Sequence, residues 1–245
     1  MPYSPIITGL LGWNRPADPY LRGFRQGIWG GALGGSVGTS MSWWWSNIHG
    51  DNVYPVYVAL GNILNRTGWG KGGWAKVTFQ PATAGIGLKG ANESLIYVVA
   101  PGLAYPTGAT NSAPPVQHAQ TLTLKQWAAG NFIAEWYDPA TATAKGQTQG
   151  TTTNGDLVLP VPDYTEDLAA IVYPPPRLAA VGYSSTNGLQ LRLDSETGGR
   201  YTIQSSTNFS AWSPMFSVTN TAARLFLNVP AAASNPWSFI RARHD

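Results

Sequence analysis

Residues 24–49 constrain the fold more than any other stretch. They run Phe-Arg-Gln-Gly-Ile-Trp-Gly-Gly-Ala-Leu-Gly-Gly-Ser-Val-Gly-Thr-Ser-Met-Ser-Trp-Trp-Trp-Ser-Asn-Ile-His, a small-residue segment ending in three consecutive tryptophans. An indole carries a large apolar area, so Trp43, Trp44 and Trp45 need either a core or a ligand to cover them. In a strand, alternation sends Trp43 and Trp45 to one face and Trp44 to the other. Trp44 reads as core. The Trp43/Trp45 face, beside Asn47 and His49, reads either as core or as a flat platform on which a sugar ring stacks.

The same stretch imitates a membrane span, because residues 26–48 carry no charge. Gly, Ser and Thr dominate it, whereas a span needs about 20 predominantly apolar residues. No membrane association is expected. The spacing of Gly27, Gly31 and Gly35, and of Gly30, Gly34 and Gly38, suits a helix packed closely on a sheet.

Across the 245 residues only 11% are charged, while Gly (28), Pro (19), Trp (11) and Tyr (11) are plentiful. Few charges with many aromatics and turn-formers predict a mainly β chain and argue against disorder or a helical bundle. The net charge of +3 is small and its basic residues are scattered, so no nucleic-acid partner is expected. Cysteine is absent, which removes disulfides, thiol nucleophiles and cysteine-based zinc sites. Met1-Pro2-Tyr3 has no basic region of the signal-peptide kind. That abrupt start reads as part of a longer protein.

Residues 4–13 read as a buried strand and turn. A helix starting at Asp18 or Pro19 carries Phe24, Ile28, Trp29 and Leu33 at helical spacing and ends at Gly38. Residues 39–45 read as a strand, Asn47 to Asn52 as a loop, and Tyr54 to Leu64 as a second helix with Val56, Leu60, Ile63 and Leu64 inside. This strand–helix alternation is that of parallel α/β units. Gly68-Trp69-Gly70-Lys71-Gly72-Gly73 reads as a linker.

From Trp74 to Tyr173 the pattern becomes short and β-like, with strands expected at Lys76–Phe79, Ile86–Lys89, Ser94–Val99, Gln120–Leu124, Asn131–Tyr137 and Leu157–Leu159. An antiparallel sandwich of about 100 residues is expected. Ala140 to Asn154, rich in Thr, Ala, Gln and Gly, reads as a long hairpin loop. Pro174-Pro175-Pro176 is a stiff spacer. Beyond it, strands are expected at Leu189–Asp194, Arg200–Ser205, Arg224–Val229 and Phe239–Arg243. The expected units are therefore 1–72, 73–173 and 174–245, the last small enough to lean on its neighbour.

Residues 4–64 resemble the last two strand–helix units of retaining glycoside hydrolases with a (β/α)8 (TIM) barrel, the cellulase- and mannanase-like group. In that group a Pro-hydrophobic-Gly-Glu-Phe-Gly strand carries the nucleophile. A Gly- and Ala-rich helix and a Trp-Trp-Trp-Asp strand follow. Here Pro5-Ile6-Ile7-Thr8-Gly9-Leu10-Leu11-Gly12-Trp13 sits at the nucleophile strand, Gly30 to Thr39 at the helix and Trp43-Trp44-Trp45-Ser46 at the last strand. Glu135-Trp136-Tyr137-Asp138-Pro139 and Gly155 to Pro162 look like the sandwich that follows such barrels. Gly199 to Asn208 with Trp212 and Phe239 to Arg243 resembles a C-terminal sandwich of secreted bacterial proteins.

The resemblance implies two β-sandwich modules after a TIM-barrel fragment, an extracellular setting and a β-linked polysaccharide or oligosaccharide as partner. The departures bear on activity. Leu10 stands where the nucleophile glutamate would be, and Ser46 where aspartate would be. Retaining hydrolysis needs two carboxyls about 5–5.5 Å apart, yet the first 92 residues hold only Asp18 and Asp51. Two strands cannot close an eight-stranded barrel, so pairing with a second copy or covering by the sandwich is expected.

The expected role is carbohydrate binding without the family nucleophile, through Trp13, Trp43, Trp45, Asn47 and His49, with no cofactor and no metal. One alternative is a hydrolase using carboxylates from elsewhere: Glu135, Asp138 and Glu166 are the candidates, with Glu93 and Asp167 behind them. Solvated rims and turns are the competing reading for these acids. Asp163 with Asp167 or Glu166 could also bind calcium. The other alternative is a structural or adhesion module whose tryptophans are scaffolding.

Overall fold

The computed structural model describes residues 18–34, 45–80, 85–90, 93–104, 114–186, 188–195, 198–221, 224–229 and 239–245. Among them 49% lie in strands and 16% in helices, so the chain is mainly β. The strands expected at 4–13 and over 39–44 lie outside the described residues.

Helix α1 spans Arg22–Leu33. Phe24, Ile28, Trp29, Ala32 and Leu33 recur at helical spacing and are fully buried. Each large side chain so buried stabilises the fold by about 1.5–3 kcal/mol. Asp18 caps the helix: its Oδ1 accepts from Arg22 N at 2.7 Å and its Oδ2 from Phe24 N at 3.0 Å. Gly23, Gly27, Gly30 and Gly31 are buried as well. Trp29 stacks on Tyr97 with ring centroids 5.4 Å apart and planes 4° from parallel.

Helix α2, Trp45–Gly50, corrects the expected strand end and loop. A single helical turn buries Ile48 while Ser46 and His49 face solvent. Its end is closed by Asp51 N donating to Asn47 O at 3.0 Å. Helix α3, Tyr54–Leu64, has Pro55 in its first turn, where a missing N–H costs nothing. It buries Val56, Ala59, Leu60 and Ile63.

Nine antiparallel strands form one curled sheet: β1 (Ala75–Lys76), β2 (Phe79–Gln80), β3 (Gly85–Lys89), β4 (Ser94–Val99), β5 (Thr121–Lys125), β6 (Asn131–Tyr137), β7 (Ala144–Thr153), β8 (Asp156–Pro160) and β9 (Asp167–Tyr173). Their order is β1-β3-β4-β9-β6-β7-β8-β5-β2. The first and last strands are consecutive in the chain, separated only by Val77 and Thr78. Val77 N donates to Gly87 O, and Thr78 O accepts from Lys125 N, each at 2.9 Å. One short segment thus serves both margins of the sheet.

The expected hairpin loop Ala140 to Asn154 is largely strand. β7 pairs with β6 along most of its length, then turns through Asn154 (φ 54°) and Gly155 (φ 82°) into β8. Two positive φ values in a two-residue loop mark the type I′ hairpin that Asn-Gly favours. Gly150 lets β7 pass from one half of the sheet to the other: an added Cβ would lie 2.3 Å from Val158 O.

The central strands are covered on both faces. Leu95, Tyr97, Ala169, Ile171 and Tyr173 share a core with Phe24, Ile28, Trp29, Val56 and Leu60 of the helices. Ile96, Val98, Leu168, Ala170 and Val172 pack on the other face against Leu122, Leu124, Trp136, Leu157 and Leu159.

After Pro174-Pro175-Pro176 come two three-stranded antiparallel sheets. One has the order β10 (Arg177–Ser184), β11 (Gly188–Asp194), β14 (Arg224–Val229). The other has the order β13 (Ser213–Thr219), β12 (Arg200–Ser206), β15 (Phe239–His244). Leu191, Leu193, Tyr201, Ile203 and Val229 are their buried apolar residues. β9, β10 and β13 were not among the expected strands.

Candidate functional site

Trp13 and Trp43 lie outside the described residues, and so does the side chain of Trp45. Trp45 opens α2, so the strand alternation that would pair it with Trp43 on one face does not reach it. Asn47 is half-buried and His49 exposed on the same turn. The structure brings His49 beside Tyr54, a partner the sequence did not nominate. Their rings are 6.2 Å apart at 65°, with Tyr54 Oη 3.5 Å from His49 Nδ1. Tyr54 is 46% exposed, so this pair presents an aromatic and polar surface directly after the tryptophan run.

Among the candidate carboxylates Glu135, on β6, and Glu93 are buried, whereas Asp138 sits half-exposed at a turn. Glu135 Oε2 accepts from Arg66 Nη2 at 2.8 Å and Tyr137 Oη at 2.6 Å. Its Oε1 accepts from Tyr173 Oη at 2.7 Å and Gln147 Nε2 at 2.8 Å, and His244 Nδ1 lies 3.0 Å away. Burial works to raise its pKa, but the hydrogen bonds from His244 and Tyr173 and the charge of Arg66 hold it at about 2. A general acid in glycoside hydrolysis needs the opposite shift. A cleft of about 260 Å³ opens beside it, lined also by Arg66, Tyr173, Arg200, His244 and Asp245.

Glu166 and Asp167 meet α1. Arg22 Nη2 donates to Glu166 Oε1 at 2.8 Å, and Arg25 bonds both Glu166 and Asp167, the latter from Nε at 2.9 Å. Tyr97 Oη donates to Asp167 Oδ2 at 2.6 Å. Burial opposes ionisation of Glu166, yet its bonds to Arg22 and Arg25 leave its pKa lowered. For Arg25, burial is the largest influence and works downward, but Asp167 and its other partners leave the pKa raised. These groups lock α1 to the start of β9.

Asp138 closes a turn, its Oδ1 accepting from Ala140 N at 2.9 Å and Thr141 N at 3.2 Å. Glu93 is buried, its Oε1 accepting from Gly68 N at 2.6 Å. Asp163 pairs with His118 Nδ1 at 2.7 Å while Glu166 and Asp167 face guanidiniums, an arrangement unsuited to calcium. Among the described residues no cluster of three His, Cys, Asp or Glu is placed to hold a metal ion. No helix among them is long and apolar enough to cross a membrane.

Sequence reasoning singled out Glu135 but missed Arg66, Tyr173 and His244 around it. These lie on a helix-terminal turn and two separate strands, and no local pattern announces their meeting. Compared with protein-family models and with curated proteins, the chain matches none.

Proposed function

We propose that this chain is a carbohydrate-binding protein related to glycoside hydrolases, with no hydrolytic centre of its own. In this reading residues 1–72 are the last two units of a barrel, and 73–173 and 174–245 are two β-sandwich modules. Its partner is a β-linked polysaccharide or oligosaccharide outside the cell, bound through Trp13, Trp43, Trp45, Asn47 and His49. The open barrel segment favours association with a second copy.

The observation that carries the reading is the exposed His49–Tyr54 pair on the turn that follows Trp43-Trp44-Trp45. Aromatic faces with polar atoms at their edges suit stacking and orienting a sugar ring. The non-catalytic half is supported by Glu135, Glu166 and Asp167, each engaged by cationic side chains.

The test is retention on insoluble β-glucan, mannan and xylan, with reducing-end release measured from the same panel. Retention without turnover is expected, weakened in a Trp43→Ala, Trp45→Ala variant and in a His49→Ala, Tyr54→Ala variant. Sugar release that disappears in Glu135→Gln would make the chain a hydrolase. Retention on none of the polysaccharides would make it a structural or adhesion module.

A further inference from the structure

Strand alternation gives the β13-β12-β15 sheet two unlike faces. Tyr201 and Ile203 are fully buried on one face, which His244 shares. On the other, Phe239, Arg241 and Arg243 of β15 lie opposite Ser206, Gln204 and Thr202 of β12, and all three are exposed. Arg200 of β12, with Ser217 and Thr219 of β13, continues this outer face. The turn after β12 adds an aromatic end to it. Phe209 stacks on Phe239 with ring centroids 3.5 Å apart, and Trp212 stands edge-on to Phe209 at 6.4 Å. Phe209 is nevertheless 61% and Phe239 40% exposed. Phe209 also has φ 61°, a left-handed conformation that costs a bulky residue about 1–3 kcal/mol. Trp212 Nε1 holds it there by donating to Phe209 O at 2.9 Å, and Asn208 Oδ1 accepts from Ser210 N and Ala211 N, each at 3.0 Å. The chain thus fixes an apolar ring in water instead of folding it under.

The charges on this face narrow the chemistry. The Asp245 side chain takes up Arg200 at 3.4 Å and Arg243 at 3.6 Å, and accepts from Thr202 Oγ1 at 2.6 Å. Arg241 has no carboxylate partner among the described residues. Its guanidinium lies 4.1 Å from the Trp212 ring centre, and its Nε donates to Gln204 Oε1 at 2.9 Å. The two Nη groups remain, the fork that grips a carboxylate through parallel hydrogen bonds. A cation beside apolar rings calls for a ligand with a carbon–hydrogen face and an anion on the same unit. A pyranose bearing one carboxylate supplies both. A nucleic-acid backbone carries a charge at every nucleotide and needs several cations along its path, which one unpaired guanidinium does not provide.

We infer that the Phe209–Trp212–Phe239–Arg241 face binds a uronic acid unit of an acidic polysaccharide. This rests on the proposed carbohydrate reading for the class of ligand alone, since it uses none of the residues of the tryptophan run. Phe209 and Phe239 supply the surface on which the sugar ring lies, and Arg241 takes its carboxylate. The turn is already held by its own hydrogen bonds, so little ordering is needed on binding.

The experiment is affinity electrophoresis of the full chain through gels carrying polymannuronate, polygalacturonate or glucuronoxylan, with the methyl ester of each polymer and an oligothymidine alongside. At least one acidic polymer should retard the chain. Its ester should not, because esterification removes the anion and leaves the ring. Phe209→Ala and Arg241→Gln should each weaken the binding roughly tenfold. Lys76→Gln removes an equal charge from an exposed position on the nine-stranded sheet and should leave binding unchanged. The ester comparison uses the unaltered protein, so it holds whether or not a variant folds. Retardation by none of the acidic polymers would overturn the inference, as would equal retardation by their esters. Unchanged binding in Phe209→Ala and Arg241→Gln would overturn it too, as would a loss in Lys76→Gln as large as in Arg241→Gln. Tighter binding of oligothymidine, weakened by the same two variants, would replace the glycan with nucleic acid. Binding of an acidic polymer through Phe209 and Arg241 by a chain retained on no neutral polysaccharide would sink the tryptophan-run reading and leave this one standing. Retention on neutral polysaccharide alone would do the reverse.

Discussion

His244 Nδ1 lies 3.0 Å from Glu135 Oε1, tying β15 of the C-terminal sheets to β6 of the curled sheet. The same carboxylate gathers Arg66 from the turn after α3 and the hydroxyls of Tyr137 and Tyr173. Its pKa is about 2 in the fold, against an ordinary 4.5. The unfolded chain therefore binds more protons than the native one between these values. The stabilisation is complete above about pH 4.5 and is lost as pH falls through about 2. It amounts to at most about 3 kcal/mol, lessened by solvent in the cleft. Urea unfolding followed downward from neutral pH should show this loss, with a shallower decline in Glu135→Gln.

At neutral pH, Glu135→Gln should itself destabilise the protein by about 2–3 kcal/mol, because Arg66 loses a buried anion while its guanidinium stays in place. A chemical-denaturation midpoint measures this. Arg66→Ala, truncating the half-exposed partner, should leave the carboxylate buried with only neutral donors and His244, and should fall in the same range.

Arg25→Met should cost about 3 kcal/mol by leaving the Asp167 carboxylate beneath α1 with Tyr97 Oη but no cation, while Arg22 still holds Glu166. Adding Asp167→Asn should restore part of that loss, because a neutral amide tolerates burial better than an unpaired carboxylate. A double-mutant cycle on thermal or urea midpoints gives the coupling directly. Independent, additive effects of the two substitutions would contradict the contact.

Gly150→Ala should cost about 1–3 kcal/mol by forcing β7 away from β8, since the new methyl would sit 2.3 Å from Val158 O. Amide exchange should speed up at the Thr152–Leu157 and Thr153–Asp156 pairs before it does so in β4 or β9.

Much of the fold is legible in the sequence where periodicity meets a single buried face. Phe24, Ile28, Trp29 and Leu33 announce α1, and the apolar run from Leu95 to Val99 announces β4. β9 escapes because Leu168 to Tyr173 is apolar at every position, being covered by helices on one side and by strands on the other, so no alternation marks it. β7 escapes for the opposite reason: its Thr, Gln and Gly residues are largely exposed and read as low complexity, although Asn154-Gly155 at its end was a usable hairpin signal. The short α2 turn is set by Ile48 reaching the core, a tertiary preference that the preceding tryptophans mask.

The site was less legible than the fold. Glu135 could be named as a carboxylate at a strand end, but its chemistry is decided by Arg66, Tyr173 and His244, which only the strand order brings to it. Phe209, Phe239 and Arg241 meet only because β15 pairs with β12 beside the turn that carries Phe209, and no spacing in the chain encodes that neighbourhood.

The double duty of Ala75–Gln80 bears on how the protein behaves at high concentration. A sheet whose first and last strands are consecutive pieces of one segment offers no long row of idle amides and carbonyls, and a foreign strand must displace existing hydrogen bonds before it can begin to template on it. Among the described residues, the outer strands of the two small sheets, β10, β14, β13 and β15, pair on one side only. Polymerisation of this chain, if driven by partial opening, would start from its C-terminal third, while the nine-stranded girdle stays inert.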